Sequence, residues 1–134
     1  MVPQQQRAVL LGLGGVVCII GTLLPWIGTD GSARTSYELA SIVDRLGLSD
    51  GSAAALLIRV WPAVPVAVAL CSVLAAVRCD RTARLIGALS GSIVILGCVI
   101  AWTAPLPARA GVALSLVGSV VLLVGGLLPR RVLR

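Results

Sequence analysis

The chain contains no histidine, lysine or phenylalanine, and only five of its 134 residues are acidic. Without histidine, a zinc site or an imidazole acid–base mechanism lacks its commonest side chain. The four cysteines do not have metal-ligand spacing either. The long apolar runs contain neither paired aspartates nor a serine–histidine pair. We therefore expect no catalytic residues, no metal, no cofactor and no enzymatic activity.

Acidic residues are also missing from every long apolar run. Exchange coupled to protons or cations usually requires a carboxylate at membrane depth, so an exchanger of the small multidrug type is disfavoured. A channel assembled from several copies would have only serine, threonine and cysteine as polar lining. A phosphate-binding glycine loop and aromatic–basic interleaving are absent as well, so we expect no nucleic-acid partner.

What the chain has in abundance is apolar sequence: 58% of its residues are hydrophobic and 12% are charged, with a mean hydropathy of +1.06. A water-soluble surface could not accommodate this composition. Crossing a bilayer core about 30 Å thick takes about 20 apolar residues. We predict one all-α membrane domain, a bundle of four transmembrane helices over residues 8–27, 60–77, 85–103 and 111–128.

The arginines predict how the bundle is oriented. Seven arginines and a single acid flank one side of the predicted spans: Arg7, Arg78, Arg81, Arg84, Arg130, Arg131 and Arg134, with Asp80. The other side is balanced: Arg34, Arg45, Arg59 and Arg109 against Asp30, Glu38, Asp44 and Asp50. The positive-inside rule then places both termini in the cytoplasm of a bacterial plasma membrane. Membrane lipids are the expected surroundings, and they can also contact the basic clusters.

The three tryptophans support this orientation. Trp26 falls at the end of the first predicted span, Trp61 at the start of the second and Trp102 at the end of the third. Indoles favour the membrane–water interface. We predict that all three are interface anchors on the outer side.

The first outer loop, residues 28–59, includes a polar stretch with four of the five acidic residues. Turn signals at 30–32 and 49–51 enclose a short predicted helix over residues 36–46. Thr35 and Glu38 have the spacing of a capping box, and Gly47 provides a stop. The helix is amphipathic, with an apolar face formed by Leu39, Ile42, Val43 and Leu46.

This apolar face has two possible locations. It can lie on the membrane surface or on its own bundle, because the linkers are short. Alternatively, it can dock on another envelope protein, with Tyr37, Leu39 and Leu46 as anchors and Asp44 and Arg45 at the rim. The predicted partner or lipid contacts are Tyr37, Leu39, Ile42, Val43, Asp44, Arg45, Leu46 and Arg59.

Arg59 is the ionisable residue closest to membrane depth. It can anchor the second span at the interface beside Trp61, or it can bind a lipid phosphate or an acidic group of a partner. Small residues also recur at four-residue spacing in the helices, as in Ala83, Gly87 and Gly91. Such stripes allow close helix packing, either within one bundle or between the copies of a homo-oligomer.

Three short segments resemble a known group: Leu24-Pro25-Trp26, Arg34-Thr35-Ser36-Tyr37-Glu38-Leu39 and Asp44-Arg45-Leu46-Gly47-Leu48. They resemble small uncharacterised four-helix integral membrane proteins of actinobacteria, over the first helix and the outer loop. The helix count and the large first loop are also similar to claudin-type tetraspans. This loop, however, has no cysteine pair and is too short for their extracellular sheet.

The sequence thus leaves two functions open. The first is a non-enzymatic accessory or assembly subunit of a cell-envelope complex, which uses the outer helix for packing or docking and has a membrane-protein partner or a second copy. The alternative is a small oligomeric lipid or solute transporter or channel, in which Arg59 contacts an anionic group.

Overall fold

A computed structural model of the protein describes residues 4–28, 31–47, 53–77, 79–103 and 109–128. The helices are α1 (Gln4–Leu23), α2 (Ser36–Arg45), α3 (Ala53–Val60), α4 (Val64–Ala76), α5 (Asp80–Thr103) and α6 (Ala110–Leu127). Two short strands, β1 (Pro25–Ile27) and β2 (Arg34–Thr35), pair antiparallel between α1 and α2. Two sets of predictions lie outside the described residues: the turn at 49–51, and the roles of Arg78, Arg130, Arg131 and Arg134.

Within the described residues, four helical segments are long and apolar enough to cross a membrane: Gln5–Leu23, Ala55–Ala76, Arg81–Thr103 and Ala110–Leu127. The predicted number of helices of this length and apolar character is confirmed. The segment boundaries differ from those of the predicted spans. Hydropathy excludes a turn that carries an arginine, whereas the helix continues through that turn. The second segment begins five residues before the predicted position 60, and the third begins four residues before 85.

The first helix ends earlier than predicted, at Leu23, and Trp26 lies in β1. Pro25 restricts the backbone of the residue before it and has no N–H for a continuing helix. Gly28 has φ +129°, a conformation that side chains other than glycine rarely adopt, and it allows the chain to turn back toward β2. The short β pairing corrects the purely helical prediction for this stretch.

The second membrane-length segment is helical on both sides of a 3₁₀ turn at Trp61–Ala63. Pro62 and Pro65 each lack a backbone donor, which favours this change of hydrogen-bond pattern at the junction of α3 and α4. Arg59 therefore lies within a helix that begins at Ala53. The helix thus begins before the predicted start of the span at residue 60, and the position of Arg59 at the membrane interface stays a prediction.

In the bundle, α6 packs between α1 and α5, and α4 packs against the same two helices on the other side. Glycines permit the close contacts. A Cβ added to Gly118 would lie 2.4 Å from the backbone nitrogen of Cys18, and one added to Gly91 would lie 2.9 Å from the carbonyl oxygen of Ser119. The small-residue stripes of α5 and α6 are thus used within the bundle.

Arginines bond to both ends of α6. At its C-terminal end, Arg7 donates to the carbonyl of Leu128, and Arg84 Nε donates to the Gly126 carbonyl at 2.8 Å. At its N-terminal end, the Arg109 N–H donates to the Trp26 carbonyl at 2.7 Å, and Arg109 Nε donates to Gly28 at 2.9 Å. The orientation of the bundle was predicted in part from Arg7, Arg84 and Arg109. These three arginines therefore also make hydrogen bonds that hold α6 in place.

Candidate functional site

Helix α2 begins with the predicted capping box. The Glu38 N–H donates to Thr35 Oγ1 at 3.4 Å, and the Thr35 N–H donates to Glu38 Oε2 at 2.9 Å. At the other end Gly47 has φ +63° and follows the last helical turn. The capping box and the stop at Gly47 are confirmed, and they define the element that covers one side of the site.

Two hydroxyl groups attach α2 to the end of α1. Ser36 Oγ donates to the Thr22 carbonyl at 2.7 Å, and the Tyr37 hydroxyl donates to Thr22 Oγ1 at 3.1 Å. Both bonds are intramolecular. They show that α2 packs on its own bundle, which is one of the two locations expected for it. The Tyr37 hydroxyl already has a hydrogen-bond partner in this packing.

One part of the predicted apolar face of α2 packs toward the bundle, and the other part is exposed. Leu39 and Val43 are half-buried and face a cavity between α2 and the bundle. Ile42 is 38% exposed and Leu46 is 65% exposed. Only part of the predicted face is thus used for packing on the bundle.

The tryptophans are placed differently from the prediction. Trp26 and Trp61 are 3% and 4% exposed, and their rings meet edge to face with centroids 5.3 Å apart. Trp26 Nε1 donates to the Gly21 carbonyl at 3.0 Å. These two indoles pack inside the protein, so the expectation that they face headgroups is corrected. Trp102 is 64% exposed at the same end of the bundle, consistent with its predicted anchoring position.

The apolar chamber is the cavity beneath α2, with a volume of about 260 Å³. It is lined by Trp26, Ile27, Ser36, Leu39, Ala40, Val43, Leu57, Ile58, Trp61, Gly97, Ile100 and Ala101. The one hydroxyl in this lining, that of Ser36, already donates to Thr22. Trp61 Nε1 is buried without a hydrogen-bond partner among the described residues and is thus one unsatisfied donor in a lining residue. The other lining side chains are apolar, so the chamber is suited to an apolar group.

The charged cleft is a second cavity, also about 260 Å³, which shares Ala40 and Ile58 with the apolar chamber. Its lining is Tyr37, Ala40, Ser41, Asp44, Ile58, Arg59 and Pro62. Three of the predicted contact residues, Tyr37 and Asp44 on α2 and Arg59 on α3, thus share one cleft. Arg45 is exposed and does not line it.

Neighbouring apolar and charged cavities can bind an amphiphile, with its chain in one and its polar group in the other. The residues that the sequence did not identify are those on the bundle side: Leu57, Ile58, Gly97, Ile100 and Ala101. On α5 these residues have helical i, i+3, i+4 spacing. Their spacing was visible in the sequence, but it is shared by every packing face of a helix.

Comparison with protein-family models, with curated proteins and with solved structures finds no match. The resemblance to actinobacterial membrane proteins therefore stays a prediction.

Proposed function

We propose that this is a multi-pass protein of a bacterial plasma membrane, with cytoplasmic termini, that binds the apolar chain of an amphiphile in the apolar chamber. The observation that carries the proposal is the apolar chamber beside the charged cleft. From the alternative that the sequence left open, a small oligomeric lipid or solute transporter or channel, this proposal keeps the lipid and the contact of Arg59 with its anionic group. The role as an accessory subunit moves to second place because α2 packs on its own bundle.

The outer surface of the bundle supports a lipid environment. Large apolar side chains are exposed on all the long helices, among them Leu13, Val66, Leu89 and Val117. Contiguous apolar surface of this kind is rare on water-soluble monomers. Buried serines, including Ser115 and Ser119, lie instead on the inner faces.

The position of the apolar chamber along α5 supports the proposal when the end of α5 is taken as the membrane interface. Gly97 lines it six residues before the end of α5 at Thr103, about 9 Å along the helix. One leaflet contributes roughly 15 Å of hydrocarbon. Ile100 lines the apolar chamber and is also exposed, so the chamber opens to the protein surface at this depth.

The volume limits the occupant. A cavity of about 260 Å³ is smaller than the roughly 300–1,000 Å³ of sites for drug-sized ligands. It can take part of one acyl or alkyl chain, and the rest of the molecule stays outside. Arg59 in the adjoining cleft supplies a cation for a phosphate or carboxylate head.

Fluorescence quenching tests this proposal. With Trp102→Phe, the two remaining tryptophans both line the apolar chamber. Titrating a brominated single-chain alkyl phosphate into the detergent-solubilised protein should quench their fluorescence saturably. Ala101→Phe, at a residue that lines the apolar chamber but not the charged cleft, occupies part of the chamber. Displacing about two methylene groups should cost about 1.6 kcal/mol and weaken the apparent affinity roughly tenfold.

Ala113→Phe is the matched control, because Ala113 is exposed on α6 and does not line the apolar chamber. It should leave the titration unchanged. Quenching that never saturates, or that both phenylalanine variants alter equally, would count against chain binding.

The exposed part of α2 favours the second candidate function, an accessory subunit that docks on another membrane protein. Ile42 and Leu46 lie one helical turn apart and remain exposed after α2 has packed on the bundle. Exposed apolar pairs of this kind often contribute to interfaces.

For this second candidate, Leu46→Glu should sharply reduce recovery of a crosslinked partner from native membranes while the abundance of the protein stays constant. Ala33→Glu adds the same charge at an exposed position outside α2 and serves as the control. If abundance falls together with recovery, Leu46 contributes to folding and docking is contradicted.

A further inference from the structure

The charged cleft has walls of opposite character. Arg59, on α3, carries a guanidinium, which only donates hydrogen bonds. Asp44 and Ser41, on α2, present acceptors; Ser41 Oγ gives its proton to the Glu38 carbonyl at 2.8 Å, so its lone pairs are available. The cleft thus has a cationic donor on one side and acceptors on the other.

Asp44 and Arg59 do not neutralise each other. In the described part of the chain no ion pair joins them, although an i, i+4 pair does form between Arg34 and Glu38 at 3.9 Å. Both side chains are exposed within the same cleft. A ligand placed between them would therefore meet one positive and one negative group.

We propose that the polar group bound here is a zwitterion with a phosphate and a primary ammonium, as in a phosphoethanolamine headgroup. This inference rests on the proposed function, because the attached chain occupies the apolar chamber. The phosphate contacts Arg59, whose planar guanidinium suits phosphate oxygens. The ammonium contacts Asp44 and Ser41, which can accept its N–H groups.

The lining of the cleft disfavours the two commonest alternatives. A quaternary ammonium has no N–H to donate and is usually held by several aromatic faces, whereas Tyr37 is the single aromatic residue that lines this cleft. A purely anionic headgroup such as phosphoglycerol would leave Asp44 facing a negative charge, an unfavourable Coulomb interaction.

Competition between headgroups tests the inference. Three single-chain lipids with the same brominated chain, carrying phosphoethanolamine, phosphocholine or phosphoglycerol, are titrated into the Trp102→Phe protein. We expect the phosphoethanolamine lipid to bind about tenfold more tightly than the other two, because only its ammonium can make an additional charge-assisted hydrogen bond to Asp44.

Two variants assign the contacts. Asp44→Asn should reduce the preference for phosphoethanolamine over phosphocholine by about tenfold while affinity for the phosphocholine lipid is kept. Arg59→Gln should weaken all three lipids, because each has a phosphate. Arg45→Gln is the control for lost positive charge: it lies on α2, is exposed, and does not line the cleft.

The outcomes separate the two proposals. Equal binding of the three lipids, still weakened by Ala101→Phe, overturns the headgroup inference and leaves chain binding in place. A preference that Asp44→Asn does not change overturns the assignment of the ammonium to Asp44. If none of the three quenches saturably, chain binding fails and the headgroup inference fails with it.

Discussion

Replacing Gly21 by alanine will lower the free energy of unfolding by about 3 kcal/mol. The added Cβ would lie 2.4 Å from the backbone nitrogen of Ser115 and 2.8 Å from its Cα. These are backbone atoms of α6, so no side chain can rotate away to make room. The two helices have to separate, and the close contact along α1 and α6 is lost. Unfolding by SDS in mixed micelles, followed by circular dichroism, measures the change.

Gly12→Ala is the matched control on the same helix. A Cβ there would meet no atom within 4 Å. Alanine favours a helix over glycine by about 1 kcal/mol, so this variant should be unchanged or slightly more stable. If the two variants lose stability equally, the effect comes from α1 alone and the contact with α6 is not its cause.

Replacing Arg7 by leucine will lower the free energy of unfolding by about 2 kcal/mol. Arg7 is 3% exposed and donates to the Leu128 carbonyl just beyond α6, where the partial negative charge of the helix end adds to the attraction. Its Nε is buried without a hydrogen-bond partner among the described residues. This unsatisfied donor already destabilises the unmutated protein, so the loss of stability expected on its replacement is moderate. The same SDS titration, performed on correctly inserted protein, measures the effect.

The control for Arg7→Leu is Arg81→Leu. Arg81 is exposed near the start of α5, so its replacement removes one positive charge without removing a buried contact. It should cost less than about 0.5 kcal/mol. Equal losses in the two variants would mean that net charge at this end of the bundle, rather than the bond to α6, determines stability.

Much of the architecture follows from local sequence. Four membrane-length segments were predictable from hydropathy alone, since chain length and apolar composition determine whether a helix can cross a bilayer. Helix α2 was predictable because its capping box involves residues three apart, Thr35 and Glu38.

The site was less predictable because it depends on contacts between distant residues. Trp26 and Trp61 have sequence positions typical of interface residues, yet in the structure they pack on each other. Pro25 is a visible stop for α1, but the pairing of β1 with β2 is not encoded in any short window. Whether Arg59 and Asp44 share a cleft depends on how α2 and α3 are placed relative to each other.

The bonds from Arg109 to Trp26 and Gly28 have a consequence for the order in which the protein matures. During synthesis, α1 and β1 leave the ribosome early, and α6 follows every other described helix. Until Arg109 arrives, the Trp26 and Gly28 carbonyls lack these donors. Trp26, which lines the apolar chamber, therefore gains this backbone contact only from a late segment of the chain, so the amphiphile binding proposed above should require that α6 is in place.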